Sequence, residues 1–410
     1  MHVVAAVCND TLHFSEVESV PLRGVCERIA NGGLCKKEWP LLRDFIMRIW
    51  VRSKLPVKSE HRDGQTLYYI DALISVYRLR ESWIRPLDDW RPKTHNREKQ
   101  FLSLVRHLLV SYKVPEFFES VWFRRDDSAQ QYQQWYVDIG AGQSMREGPS
   151  PIPLTKKTAH HFMHAPRGYS IEQAVRFGQI RALGGSRKLC AAVIETRLGA
   201  DFSNDLFWQS VLRFFIANPT LDLTQVGPVI DFLYHQKFEQ QELQLDGGAV
   251  RRVPPPQPNL SMQKRTLTSL QTQVDEWHER LGKVKVDAAM RWSASTIRPA
   301  AYVRGKDDKQ IIWRINELLS QKELLQEGRA LKHCVVRYSS GCLAGRTSIW
   351  SLTREDACGN VRRSQTIEVS RHKKIVQCRG LGNRYPTEQE RYFVRLWAKS
   401  EALDLALHGF

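Results

Sequence analysis

The sequence predicts a mainly α protein with a carboxy-terminal α+β domain, an irregular helical array followed by a small three-stranded sheet flanked by helices. Three observations carry this expectation. From Glu38 to about Leu281 apolar residues recur at three- and four-residue steps, the period of an amphipathic helix. Beyond Ile311 short β-branched stretches of alternating polarity appear, as half-buried strands require. The 410 residues also exceed the ~250 to 300 that one core usually serves, so more than one unit is expected.

Pro40 to Trp50 places Leu42, Phe45, Ile46 and Ile49 on one helical face, Thr66 to Leu79 repeats the pattern, and Asn96 to Tyr112 stripes Phe101, Leu104, Val105 and Leu108. Pro56, Pro86, Pro92 and Pro115 follow these segments and stop them, because the ring removes a donor and crowds the turn before it. No fixed period marks a solenoid. After a loop from Gly140 to Pro153, helices are expected over Thr155 to Met163, Ser170 to Leu183, Asp205 to Ile216 and Leu223 to Phe238, with Ser170 and Asn204 as candidate caps.

Gln244 to Pro258, with Asp246-Gly247-Gly248 and Val253-Pro254-Pro255-Pro256, cannot hold a helix and reads as the main linker. Ser261 to Leu281 then reads as a polar helix containing Trp277, followed by a basic connector to Gln310. Ile311 to Leu325 reads as helix, Ser348 to Leu352, Gln365 to Val369 and Lys374 to Cys378 as strands, Ser370 to Lys373 as a turn, and Glu388 to Leu405 as the closing helix. The division is 1–243 as helical scaffold, 244–310 as proline-containing linker and connecting helix, and 311–410 as the α+β domain.

Composition narrows the function. With 42% hydrophobic residues, 12 Trp and 16 Phe, the chain has ample material for real cores. The formal net charge of +17 favours polyanionic partners, nucleic acid first, through counterion release. From Arg298 onward 21 Lys plus Arg stand against 12 Asp plus Glu, a surplus of nine that is over half of the whole excess. The eight cysteines show no dense disulfide framework, no basic leader precedes Asn9 and Asp10, and no apolar run reaches the ~20 residues of a membrane span. A soluble, cytoplasmic protein with reduced thiols is expected.

The identifying segment is Glu327-Gly328-Arg329-Ala330-Leu331-Lys332-His333-Cys334-Val335, continued by Tyr338, the strand Thr366-Ile367-Glu368-Val369 and the loop Gln377-Cys378-Arg379-Gly380-Leu381-Gly382-Asn383-Arg384. In that order these motifs resemble the PcfJ-like protein family, associated with conjugative plasmids and widespread in bacterial mobile elements. The resemblance covers roughly the last fifth of the chain. Arg106-His107-Leu108, Val114-Pro115-Glu116-Phe117 and Gly184-Gly185-Ser186 are similar to the helical leader of proteobacterial members. The resemblance implies an accessory role in nucleic-acid transfer or processing and brings no settled reaction.

Among these residues, Cys334 activated by His333 is disfavoured, because adjacent side chains diverge by about 100° on a helix and to opposite faces on a strand. Cys334 reads as a small core residue, and His333, beside Lys332, Arg337 and Tyr338, faces either a site or the core. Glu368 reads as a general base or as an ion-pair partner, so His333 and Glu368 form the candidate catalytic pair. Around Gly380 and Asn383, glycine backbone and the arginines Arg379 and Arg384 suit phosphate, while a plain turn before the last helix is the alternative. Arg371, Lys373, Lys374 and Gln377 complete the candidate nucleic-acid contacts, with a solvated basic face as the bland reading.

Neither a metal nor a cofactor is expected. Cys342, Cys358 and Cys378 lack the close pairs of structural zinc sites, and His160 and His164 are four residues apart without the glutamate of a metalloprotease helix. Phosphate-cradling loops and nucleophile elbows are absent too. The expectation is a nucleic-acid-binding accessory protein, DNA before RNA and no membrane, with a nuclease-like enzyme and a helical assembly factor gripping a protein partner through the amino-terminal region as alternatives.

Overall fold

The computed structural model describes residues 32–53, 55, 63–124, 126–244, 250–282, 290–305, 310–331 and 335–405, with positions 23, 26, 27 and 29. The chain divides into two compact units, Met1–Gln179 and Ile180–Phe410.

In the first unit, α1 (Trp39–Arg52) buries Leu42, Phe45, Ile46 and Ile49, the face its spacing predicts. After α2 (Asp63–Arg78), α3 (Arg97–Leu109) buries Phe101, Leu104, Val105 and Leu108 and is capped by Asn96, whose side chain accepts from the Lys99 amide at 3.0 Å. α4 (Ala129–Gly140) and α5 (Lys156–Met163) follow, and Trp135 stacks on Phe162 with ring centroids 5.6 Å apart. The start of α6 (Ile171–Ala182) is a capping box, the Gln173 amide donating to Ser170 Oγ at 3.3 Å and the Ser170 amide to Gln173 Oε1 at 3.0 Å. Its neighbour Glu172 is buried, and Arg124 forks onto it at 2.6 and 3.0 Å. His160 and His164 sit on an ordinary helix end, His164 Nδ1 lying 2.7 Å from the His160 carbonyl.

In the second unit α7 (Arg187–Ile194), α8 (Asp205–Ala217) and α9 (Val226–Lys237) precede the sheet. Asn204 does not cap α8 through its side chain; it takes a left-handed φ of 58° instead, which asparagine tolerates. The glycine- and proline-containing stretch holds an antiparallel pair, β1 (Gln241–Gln244) with β2 (Val250–Val253). Beyond it the chain is tied to α9, the Gln257 amide donating to the Gln236 carbonyl at 2.7 Å and Lys237 Nζ to the Pro258 carbonyl at 2.8 Å. α10 (Leu267–Gly282) then buries Leu270, Val274 and Trp277.

Among the described residues the sheet has six strands, not three. Its order is β3 (Ala300–Arg304), β4 (Ile311–Glu317), β5 (Thr347–Glu355), β6 (Val361–Ser370), β7 (Lys374–Arg379) and β8 (Asp404–Leu405). All neighbours are antiparallel except β7 and β8, so the sheet is mixed. Ile311 to Glu317 reads as helix by apolar count, yet Trp313 and Ile315 alternate into the core while Arg314 turns to Glu355 at 3.0 Å, which is period two. β3 lies in the basic connector. The closing helix stops at Ser400 because Ala402 takes a φ of 54°, which frees Asp404 and Leu405 to pair with Lys374 and Ile375.

One sheet face buries Trp313, Ile315, Trp350, Leu352, Ile367, Val369, Ile375 and Cys378 against Phe393, Val394 and Trp397 of α13 (Glu388–Ser400). Each such large apolar side chain contributes roughly 1.5 to 3 kcal/mol. The opposite face receives α11 (Gln321–Leu331), a 3-10 turn (Val335–Tyr338) and α12 (Ser339–Leu343) around a smaller core of Leu318, Leu324, Val335, Cys342 and Ile349. No helix of the described residues is long and apolar enough to cross a membrane.

Candidate nucleic-acid interface

The spacing of α11 puts Leu324, Glu327 and Leu331 on its buried stripe, which forces a carboxylate into the core. Glu327 is fully buried and satisfied there, accepting from Arg363 Nε at 2.8 Å, Ser351 Oγ at 2.9 Å and Thr366 Oγ1 at 2.9 Å. Burial pushes its carboxyl above the usual range, and the bonds from Thr366, Ser351 and Arg363 offset only part of that. The acid of the identifying segment therefore joins α11 to β5 and β6.

Thr366 is also the first residue of a cleft. On the same sheet face, strand register sets Glu368 between Ile349 and Gln377, and Thr366 opposite Arg379. The other wall is helical. α9 presents Asp231, Tyr234 and His235 at helical steps of three and four, α10 adds Trp277, and the turn after α7 adds Arg197. The cleft holds about 590 Å³ of empty space, its open mouth included.

Within it the Tyr338 hydroxyl donates to Gln377 Oε1 at 2.9 Å, and from outside the lining Thr347 Oγ1 donates to Glu368 Oε1 at 3.2 Å. Arg197 lies over the ring of Tyr234, Cζ 3.3 Å from its centroid, and Arg379 lies over Tyr385 at 3.8 Å. Neither arginine forms an ion pair among the described residues, and Arg197 Nη1 is buried without a hydrogen-bond partner. His235 and Trp277 sit ring to ring at 5.2 Å.

The glycine loop behaves differently from its phosphate-binding reading. Arg384 places Nη2 and Nη1 on Glu390 at 2.6 and 2.8 Å, so its fork is already occupied. A Cβ on Gly380 would meet Gln365 Nε2 at 2.7 Å and the Ser364 carbonyl at 2.8 Å; this glycine serves close packing. Gly382 turns the backbone at φ +61°, and its carbonyl lies 2.3 Å from where a Cβ on Gly227 of α9 would stand. The loop is thus seated on α9, and only Arg379 of its two arginines lines the cleft.

Lys332 and His333 lie outside the described residues, as does Cys334, and nothing is described of the Arg337 and Asn383 side chains. Glu368, Gln377, Arg379 and Tyr338 come together in the cleft, whereas Arg371, Lys373 and Lys374 are exposed on the β6–β7 turn. A second basic group stands at the other end of the hairpin, where Arg354 and Arg362 are exposed and directly opposite each other. Burial pushes the Cys342 thiol up to about 12 and raises Cys378 as well, which disfavours the thiolate at both. Among the described residues no group of three or more acidic, histidine or cysteine side chains is set to hold a metal.

Residues 263–394 match the PcfJ-like protein family. No curated protein and no solved structure matches the chain. The PcfJ-like segment runs from just before α10 into α13, so it contains Trp277, Glu327, Tyr338, Glu368, Gln377 and Arg379. Arg197, Asp231, Tyr234 and His235 lie outside it. Sequence reasoning missed these four because nothing local marks them; the helical spacing of Asp231 and His235 was the one available signal.

Proposed function

We propose that the Ile180–Phe410 unit binds nucleic acid, DNA in preference to RNA, and serves as a cytoplasmic accessory protein of a bacterial mobile element. The observation that carries this reading is the pairing of Arg354 with Arg362 across β5 and β6. Like charges directly opposite on a sheet destabilise it, and neither side chain has an ion pair among the described residues, so the arrangement favours an external polyanion. Arg346, Arg371, Lys373 and Lys374 supply a second exposed basic group at the other end of the same hairpin. From Arg362 to Ser370 the strand runs roughly 27 Å, a span of about eight phosphates along one strand of a duplex. The mobile-element role rests on the PcfJ-like match.

The test is salt-dependent binding of duplex DNA and duplex RNA by fluorescence anisotropy. Arg354→Gln and Arg362→Gln should each weaken binding across sequences and lower the slope of log K against log salt by about one. A double variant with wild-type affinity and slope would remove this ridge as the contact surface.

The position of Glu368 in the cleft favours a second reading, a nucleic-acid-processing enzyme with Glu368 as its base. It requires that the protein turn over a nucleic-acid substrate and that Glu368→Gln stop turnover while binding persists.

A further inference from the structure

The cleft between α9 and the sheet contains two guanidiniums that form no ion pair among the described residues. Arg197 and Arg379 each lie over a tyrosine ring, Cζ 3.3 and 3.8 Å from its centroid, a contact that orders the guanidinium without satisfying its N–H donors. Neither has an ion pair among the described residues, and the buried Arg197 Nη1 lacks any acceptor, a donor costly to leave unmade. Two such forks suit the several oxygens of a phosphate.

The rest of the lining specifies what accompanies that phosphate. Asp231, Glu239 and Glu368 also line the cleft. Three carboxylates beside two guanidiniums would repel a run of backbone phosphates but would accept from the hydroxyls of a sugar or the amino group of a base. Tyr338, which is only partly buried, adds aromatic surface for a base plane. The free space of the cleft, about 590 Å³ with its open mouth included, is too small for a duplex.

We infer that this cleft binds a single nucleotide through its phosphate, as a free nucleoside monophosphate or as the 5′-phosphorylated end of a single strand. The inference rests on the nucleic-acid reading above, yet it concerns different residues from the Arg354–Arg362 ridge.

The experiment titrates the full chain with the four nucleoside 5′-monophosphates, with inorganic phosphate, and with one single-stranded dodecamer carrying a 5′-phosphate or a 5′-hydroxyl, read by tryptophan fluorescence and calorimetry. Saturable binding of a monophosphate, or a clear preference for the 5′-phosphorylated strand, supports the site. The first without the second assigns it to free nucleotide, and the second without the first to strand ends. Arg197→Gln and Arg379→Gln should each weaken binding about tenfold, as should the charge-preserving Arg379→Lys, which lacks the fork; melting temperatures near wild type show that the fold survives.

The inference is overturned if no monophosphate binds and the two dodecamers bind alike, or if folded Arg197→Gln and Arg379→Gln bind as the wild type does. Should that happen while ridge-dependent duplex binding persists, the cleft assignment fails and the nucleic-acid reading stands. Loss of duplex binding alone would sink the latter.

Discussion

Arg384 and Glu390 meet edge to edge, at 2.6 and 2.8 Å, where the glycine turn enters the last helix. The carboxylate is almost fully buried and also accepts from the Thr387 amide at 2.6 Å, from Gln365 Nε2 at 2.9 Å and from Ser364 Oγ. An arginine held this way is a structural tie. Arg384→Ala should cost about 2 kcal/mol in urea denaturation, a figure discounted because the guanidinium is partly exposed, and should leave nucleic-acid affinity per folded molecule unchanged.

The same pair sets an acid limit. Burial pushes Glu390 up, but the bonds from Arg384, Ser364 and Thr387 outweigh it and leave the carboxyl at about 2, below its ordinary 4.5. A depressed carboxyl stabilises the fold above its unfolded value and loses that contribution as pH falls through the folded one. The wild type should therefore lose about 3 kcal/mol more than Glu390→Gln between pH 4.5 and 2, read as the difference between their urea midpoints across that window.

Glu327 is shifted the opposite way, since burial raises it, and a neutral side chain should be tolerated there. Glu327→Gln keeps an acceptor for Ser351 or Thr366 and should cost about 1 kcal/mol. Glu327→Leu leaves Arg363, Ser351 and Thr366 without their acceptor and should cost about 3 kcal/mol or more, seen as a lower melting temperature.

Removing either ridge arginine should act on binding and not on stability. Arg354→Gln relieves a like-charge neighbour and should leave the melting temperature equal or slightly higher, a few tenths of a kcal/mol at most, while duplex affinity falls.

Gly227→Ala should destabilise by about 1 to 3 kcal/mol, because the new methyl would stand 2.3 Å from the Gly382 carbonyl and backbone must shift to admit it. Hydrogen exchange at residues 381–384 would report the loosening.

The helices were legible because their stripes are long: Phe101, Leu104, Val105 and Leu108 repeat over several turns, and the structure buries all four. β5, β6 and β7 announced themselves through β-branched alternation. β3 and β4 did not, since five to seven residues are too few to fix a period, and only pairing of β4 with β5 and of β3 with β4 decides. The site was half legible. Glu368, Gln377 and Arg379 stood out by motif, whereas Arg197 and Tyr234 acquire meaning only when folding brings α9 over the sheet. Arg384 shows the reverse error, a residue with phosphate chemistry whose partner, Glu390, is six residues away in its own chain.

The two-walled cleft has a practical consequence for anyone wishing to transplant it. A fragment cut at the borders of the PcfJ-like match would carry the strands and leave Arg197 and Tyr234 behind. Such a fragment would keep its family signature and carry one wall of the cleft without the other. Chimeras that exchange this segment between relatives should inherit ligand preference only when the helices before it travel along.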